Sequence, residues 1–298
     1  MKTFGFPALG TQWTILIDHD EFGTADEKAI LTEVETFERR FSRFLPESEV
    51  NAFRKASAGT YDISERFSVM LTRALLLRDL THGVYDPAVG GLLERAGYGM
   101  APEEGSSPTD FVLPRWSLSR TTLTLDGPTA FDLGGIGKGY CIDLVGSILL
   151  KRGYQFFLVE GGGDMYGTTK RDGSPYRVAL EYPGRPDTAF GTLELNHQAV
   201  AVSDTFKRRW PASVKAGRDE QKWHHIIDPV TKQPIAAVIG CAALGQTAFD
   251  ADSMTSGLFL AGEGQYRALR EALGTEFVVF RENGTIVTSP SWPGELFT

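Results

Sequence analysis

Asp250, Asp252 and Ser256 bring two carboxylates and a hydroxyl to the mouth of an apolar run spanning residues 247–261. If that run is helical, Ser256 lies one turn beyond Asp252 on the same face. Hard oxygens at that spacing, beside the unpaired N–H groups of a helix start, suit a small divalent cation that itself holds a phosphate. The same acids also serve a plain structural end, capping the helix and complementing its dipole. The pattern alone leaves both readings open.

A second constellation is His224 and His225 with Asp228 three residues after the latter, and Pro229 fixing the turn that follows. His225 could act as a general base or donate to a phosphate oxygen, and it could equally just bond to a neighbouring strand. Lys138 sits among Gly134, Gly135, Gly137 and Gly139, where backbone can approach a ligand or another segment closely. No Ser or Thr follows Gly137 and Lys138, so this is not a phosphate-binding loop of the Walker type. Glu160 and Asp164 flank three successive glycines, and residues 203–210 add Lys207, Arg208 and Arg209 beside Phe206 and Trp210.

The elements that must carry these residues follow from periodicity. Residues 12–17 alternate as a strand, and Ile30, Val34, Phe37 and Phe41 mark one face of a helix over 25–41. Ser64 caps a second helix reaching Leu80, and Gly83 stops it. A strand over 117–125 leads through the glycine-rich turn into a third helix over 140–150, closed by Gly153. Strands are then expected over 156–159, 176–182, 191–195, 199–202, 225–227, 239–244, 276–280 and 285–289, with helices after Asp252 and over 265–273. Strands and helices cluster rather than alternate, which predicts an α+β fold with antiparallel sheets. A single domain over 1–298 is expected, with a two-lobed division near 153 as the alternative.

Composition limits the partners. The 298 residues are 42% hydrophobic and 23% charged, with a net charge of −8. That balance argues against a nucleic-acid backbone or an anionic membrane as the main partner, so any bound anion must be held by local groups. Cys141 and Cys241 lie in apolar segments without metal-like spacing, which predicts packing roles in a reducing compartment. No apolar stretch approaches the length of a membrane span, and residues 1–11 carry no leader pattern, so the expectation is a cytoplasmic chain, or an exported one already trimmed.

Seven ordered blocks together resemble the ApbE family of flavin transferases, which attach FMN from FAD to a Thr or Ser of a target protein. They are 9–13, 41–49, 85–90, 132–140, 160–164, 225–231 and 251–258, nearly the whole chain. The resemblance implies a T-fold-like α+β architecture with packed helices, FAD as donor substrate and Mg²⁺ at its pyrophosphate. It implies Asp252 and Ser256 as metal ligands, with the backbone carbonyl of Gly135 completing the protein set. Leu9, Phe44, Asp86, Pro87, Ala88, Asp132, Lys138 and Ile226 are implied for the FAD pocket. His225, with Asp228 nearby, is the candidate to deprotonate the acceptor hydroxyl.

This chain departs from the family pattern at several positions. Ser256 stands where Thr is usual, which keeps the oxygen and loosens its rotamer. Phe44 stands where Tyr is frequent, keeping a stacking face and losing a hydroxyl. Gly137 replaces a common Ala, and Ser203, Asp204 and Thr205 replace a usual Thr-Ser-Gly. The expected activity is Mg²⁺-dependent FMN transfer to a protein hydroxyl with release of AMP. Hydrolysis of FAD to FMN and AMP is the alternative within the same pocket, and a non-catalytic flavin carrier is the alternative from another class. A carrier has no need of a cation on the pyrophosphate.

Overall fold

The computed structural model describes residues 1–100, 106–211 and 222–297. Eight strands form one wholly antiparallel sheet in the order Lys2–Ala8, Thr11–Ile17, Phe157–Gly161, Asp164–Gly167, Gln198–Asp204, Val238–Gly245, Glu276–Arg281, Ile286–Thr288. The first two strands are joined by Leu9 and Gly10, with φ of 52° and 70°. Two successive positive φ values make the tight hairpin turn whose twist matches the strands, and Leu9 N–H is held by Glu38 Oε1 at 3.1 Å. The strand Thr11–Ile17 pairs directly with Phe157–Gly161, so the sheet joins segments from both sides of residue 153.

The two faces of this sheet bury different partners, as period-two alternation requires. Trp13, Ile15, Val159, Ala201, Cys241, Ala243 and Val279 face the helices. Leu158, Val200, Ala242, Leu244, Val278 and Phe280 face a three-stranded sheet of Tyr176–Tyr182, Arg185–Leu195 and Glu295–Leu296. Val238–Gly245 is therefore apolar on both sides, which is why it reads as an unbroken run.

The helices are α1 Thr24–Phe41, α2 Glu65–Leu80, α3 Gly90–Arg95, α4 Gly137–Lys151, α5 Ala248–Leu260 and α6 Tyr266–Leu273. Ser64 caps α2 by accepting from Phe67 N at 3.2 Å, as its position before the apolar periodicity predicts. The expected strand over 117–125 is instead a hairpin of Trp116–Ser119 and Thr122–Leu125, turned at Arg120 with φ 52°. The expected strand over 225–227 is also divided. Lys222–His224 pairs with Arg209–Pro211, Ile227–Asp228 pairs with Gln233–Pro234, and His225 lies in the bend between. Leu92, Leu93 and Ala96 on or just after α3 pack with Phe111, Trp223 and Ile227 in a small separate core that anchors this bend. Among the described residues, no helix is long and apolar enough to cross a membrane.

The helix expected from residue 140 begins three residues earlier, at Gly137. Gly139 falls in its first turn because α5 crosses there. A Cβ on Gly139 would lie 2.2 Å from the carbonyl oxygen of Ala248 and 2.7 Å from Cβ of Asp252. Local propensity disfavours glycine in a helix, and this contact overrides it. We expect Gly139→Ala to lower stability by about 2 kcal/mol or more, the range of overpacking against an unyielding backbone. Gly264→Ala, with nothing within 4 Å of the added carbon, should change stability far less. Urea denaturation of the two variants checks the difference.

Candidate active site

The start of α5 separates its two acids by role. Thr247 Oγ1 accepts from Asp250 N at 3.0 Å, and Asp143 of α4 receives Ala248 N and Phe249 N at 2.8 and 2.9 Å. Burial pushes the Asp143 carboxyl up to about 6, against the pull of those two donors. Asp250 is bound by Arg73 Nη2 at 2.7 Å and by the Thr247 hydroxyl at 2.6 Å. It is a capping residue, fully engaged with its own surroundings.

Asp252 points the other way, into the junction of α4 and α5, and is 2% exposed. Its Oδ2 accepts from Gly139 N at 2.8 Å, and its Oδ1 lies 3.7 Å from Lys138 Nζ. Lys138 also donates to Asp164 Oδ2, while Asp164 Oδ1 accepts from Val202 N at 3.2 Å. Burial pushes the Asp252 carboxyl above the ordinary carboxylate range; the Lys138 charge opposes this and Asp164 adds to it. Burial works against the Lys138 ammonium, yet Asp164 and Asp252 outweigh it and hold its pKa above the ordinary lysine value. Two buried carboxylates sharing one cation leave room for another positive charge.

Ser256, one turn along α5, donates to the carbonyl oxygen of Gly135 at 2.5 Å. A Cβ on Gly135 would come within 2.6 Å of that hydroxyl. The carbonyl, the hydroxyl and the Asp252 carboxylate are all hard oxygens supplied by the adjoining starts of α4 and α5. Such a donor set fits Mg²⁺, which takes one or two carboxylates and completes its shell with waters and phosphate oxygens.

The glycine-rich turn 161–163 has a structural reason. Glu160 Oε1 accepts from Gly163 N at 3.0 Å, and Gly162 and Gly163 have φ of +64° and +96°. Glu160 thus closes the turn that delivers Asp164 to Lys138. The sequence offers Glu160 and Asp164 together across the three glycines, and the structure gives Glu160 the turn and brings Asp164 to Lys138.

Arg43 organises the opposite wall. It is 4% exposed and pairs with Asp132 at 2.6 Å and Glu94 at 3.5 Å, while its Nη2 donates to the Tyr98 carbonyl at 2.9 Å. Its guanidinium lies 4.6 Å from the ring centre of Phe44 and 4.9 Å from that of Tyr98. Phe44 itself is 51% exposed, an aromatic face presented to solvent. Asp132 also receives Gly134 N at 2.6 Å, and its own N–H donates to Pro87 O at 2.7 Å. Asp86 is buried and bound by Ala88 N, Trp116 Nε1 and Arg78 at 2.8, 2.9 and 3.3 Å. It therefore shapes the 86–88 segment with its carboxylate occupied. Leu9 sits in the hairpin turn beside α1, and Ile226 is held at both ends, its N–H on His224 Nδ1 at 3.3 Å and its carbonyl on Ile235 N at 3.2 Å.

The two adjacent histidines divide their tasks. His224 Nε2 faces Ile235 O at 2.9 Å while Nδ1 accepts from Ile226 N, which assigns the proton to Nε2. The strand-bonding role that sequence offered for His225 belongs to His224. No hydrogen bond reaches the His225 ring among the described residues, and its Nδ1 is buried. Burial, helped by the Arg208 charge, depresses its pKa to about 4. Asp228 is not paired with His225; its Oδ1 accepts from Val230 N and Thr231 N at 2.7 and 3.3 Å, closing the turn after the bend. Tyr98, which the sequence reading missed, stacks on Trp210 at 4.9 Å and lies 6.4 Å from the His225 ring. Its flanking glycines were the available signal. Gly99 has φ +116°, and a Cβ there would lie 2.5 Å from Arg43 Nη1.

Comparison with known proteins places this geometry among relatives. A sequence profile of the ApbE family matches residues 9–279. A FAD:protein FMN transferase of Vibrio cholerae serotype O1 is 28% identical over 284 residues, covering 89% of this chain and 83% of that protein. One from Escherichia coli K12 is 24% identical over 303 residues, covering 94% and 84%. The solved flavin transferase ApbE from Vibrio cholerae superposes with a TM-score of 0.81 at 25% identity, covering 97% of both chains. The ApbE protein of Thermotoga maritima gives a TM-score of 0.81 at 23% identity over the same shares, which shows the shared fold. The expected α+β architecture with antiparallel sheets is therefore observed.

The depressed His225 pKa carries a stability consequence. Between its folded value near 4 and an ordinary value near 6.5, the unfolded chain binds the proton more readily, so stability contributed by neutral His225 is full above 6.5 and falls as pH drops toward 4. We expect His225→Gln to abolish that slope, leaving the unaltered chain about 2 kcal/mol worse off at pH 5 relative to the variant than at pH 7. Urea midpoints at the two pH values measure it.

Proposed function

The chain belongs to the ApbE family, and from that premise we propose that it transfers FMN from FAD to a Thr or Ser hydroxyl of an acceptor protein, releases AMP, and depends on Mg²⁺. The observation that carries this reading is the convergence, at the starts of α4 and α5, of the Asp252 carboxylate, the Ser256 hydroxyl, the Gly135 carbonyl and the Lys138 ammonium. When bound there, Mg²⁺ supplies positive charge to the pyrophosphate and so favours attack at phosphorus.

The remaining roles fall to the chain's own residues. Lys138, fixed by Asp164 and Asp252, presents its charge to the phosphates. Phe44, its ring exposed above Arg43, supports the flavin by stacking. The 86–88 segment, tied to Asp132, forms the adjoining wall. The acceptor oxygen forms a bond to the FMN phosphorus, the bond from that phosphorus to the AMP oxygen breaks, and the hydroxyl proton passes to the His225 imidazole. His225 is available because it is neutral and carries no hydrogen bond among the described residues. Its low basicity in the free protein stems from burial and then the Arg208 charge, with Lys138 adding to it; a diphosphate seated beside these cations offsets their effect and raises its basicity when substrate is present. Asp228 shapes the turn beside His225 rather than polarising it. The sheet pairing across residue 153 supports a single domain.

Incubation with FAD, Mg²⁺ and a candidate acceptor should give a covalent FMN mass shift on the acceptor with stoichiometric AMP. AMP without an adduct would point to hydrolysis, and absence of both would overturn catalysis. Asp252→Ala should abolish Mg²⁺-dependent turnover. His225→Ala should slow transfer by roughly 10²–10⁴-fold, the usual contribution of a positioned base, with FAD still bound. Rapid-quench assay of AMP together with FAD fluorescence separates these effects, and an unchanged rate removes His225 from the mechanism.

A further inference from the structure

The basic segment 205–210 ends in a short strand, Arg209–Pro211, that pairs with the strand Lys222–His224 just before His225. Asp204 Oδ1 accepts from Phe206 N and Lys207 N at 2.7 and 3.0 Å, turning the chain out of the main sheet. Arg209 is drawn back onto Thr205, with Nε on its carbonyl at 2.6 Å. The chain then enters the two-stranded ribbon in which Arg209 pairs with His224 and Trp210 with Trp223. Arg208 and His225 are the residues that flank this pairing, just before Arg209 and just after His224. Arg208, Trp210 and His225 are brought together by a shared neighbour, Tyr98.

Tyr98 lies beside all three. Its ring stacks on Trp210 at 4.9 Å with an interplanar angle of 10°, lies 6.4 Å from His225, and its hydroxyl faces Arg208 Nη1 at 3.4 Å. Trp210 is itself pinned by its Nε1 bond to Ala96 O at 2.6 Å. The surrounding cations each have carboxylate partners: Lys138 has Asp164 and Asp252, Arg43 has Asp132 and Glu94, and Arg54 has Glu94. Among the described residues, no carboxylate comes within ion-pair distance of Arg208. An arginine aimed by an aromatic platform, with no carboxylate partner among the described residues, is suited to an anionic ligand, which its planar fork can hold through two bonds.

We propose that Arg208 binds the pyrophosphate of FAD from the His225 side, opposite the cation site, as a second phosphate-holding side chain beside Lys138. This inference rests on the proposed FAD reading of the same pocket. The charge of Arg208 reaches both neighbours in the direction this placement requires, opposing protonation of Lys138 and of His225. Clamping the pyrophosphate between Arg208 and Lys138 would align the phosphorus with the acceptor oxygen held near His225.

The test is FAD binding rather than turnover. Fluorescence titrations in Mg²⁺ at a low and a high salt concentration are run on the unaltered chain, Arg208→Gln and Arg208→Lys, with melting curves for each. The proposal expects Kd to rise on the order of 10–100-fold in Arg208→Gln, as for loss of a charge-assisted bond, with a smaller rise in Arg208→Lys. It also expects a flatter dependence of Kd on salt in the glutamine variant, which a purely structural loss would not produce. Should Arg208→Gln fail to fold, a normal melting curve with unchanged affinity in Arg208→Lys would overturn the bidentate contact. Unchanged Kd in folded Arg208→Gln, or weakened binding with an unchanged salt slope, overturns the proposal outright. FMN transfer that persists alongside unchanged binding refutes Arg208 alone, whereas FAD binding that depends on Arg208 without any transfer refutes only the transferase reading.

Discussion

The close crossing of α4 and α5 is the constraint on which the site depends. Gly139 lets the Ala248 carbonyl and the Asp252 side chain come within a distance that any other side chain would block. The same contact gives the Gly139 N–H to Asp252, and Lys138, one residue earlier, meets that carboxylate and Asp164. The preceding turn brings the Gly135 carbonyl to Ser256. One backbone approach therefore sets the positions of every oxygen proposed to hold a cation.

Charge compensation completes the arrangement. Asp252 and Asp164 are almost wholly buried, and a single lysine serves both, so the site is left short of positive charge. On the other wall Arg43 is shared between Asp132 and Glu94, which fixes the loops that carry Phe44 and Gly134. Buried ion pairs of this kind contribute little net stability, because desolvation offsets most of the attraction. Their value here is positional: each holds a loop against the cleft with a defined orientation.

Much of this was legible in the sequence, for identifiable reasons. The amphipathic spacing of Ile30, Val34, Phe37 and Phe41 and the Ser64 cap gave α1 and α2 within a residue or two, since both signals are local. The start of α4 was not legible, because Gly137 and Gly139 look like loop residues until α5 is packed against them. Spacing alone also could not choose between Asp250 and Asp252, whose difference is that Arg73 and Thr247 engage the former while the latter turns inward. The same holds for His224 and His225, separated by a strand bend visible only once Ile235 and Tyr98 are in place. Tyr98 and Arg208 lie far apart in the chain, and only the tertiary packing of Tyr98 on Trp210 brings its hydroxyl to Arg208.

Asp252 is proposed to link a divalent cation to the donor's phosphates, and calorimetric titration of FAD with and without Mg²⁺ tests that link without any acceptor present. In the unaltered chain, affinity for FAD should rise markedly when Mg²⁺ is added. In Asp252→Asn, which keeps the size of the side chain and removes its charge, that enhancement should disappear. An equal Mg²⁺ enhancement in both proteins would place the cation elsewhere and contradict the site described.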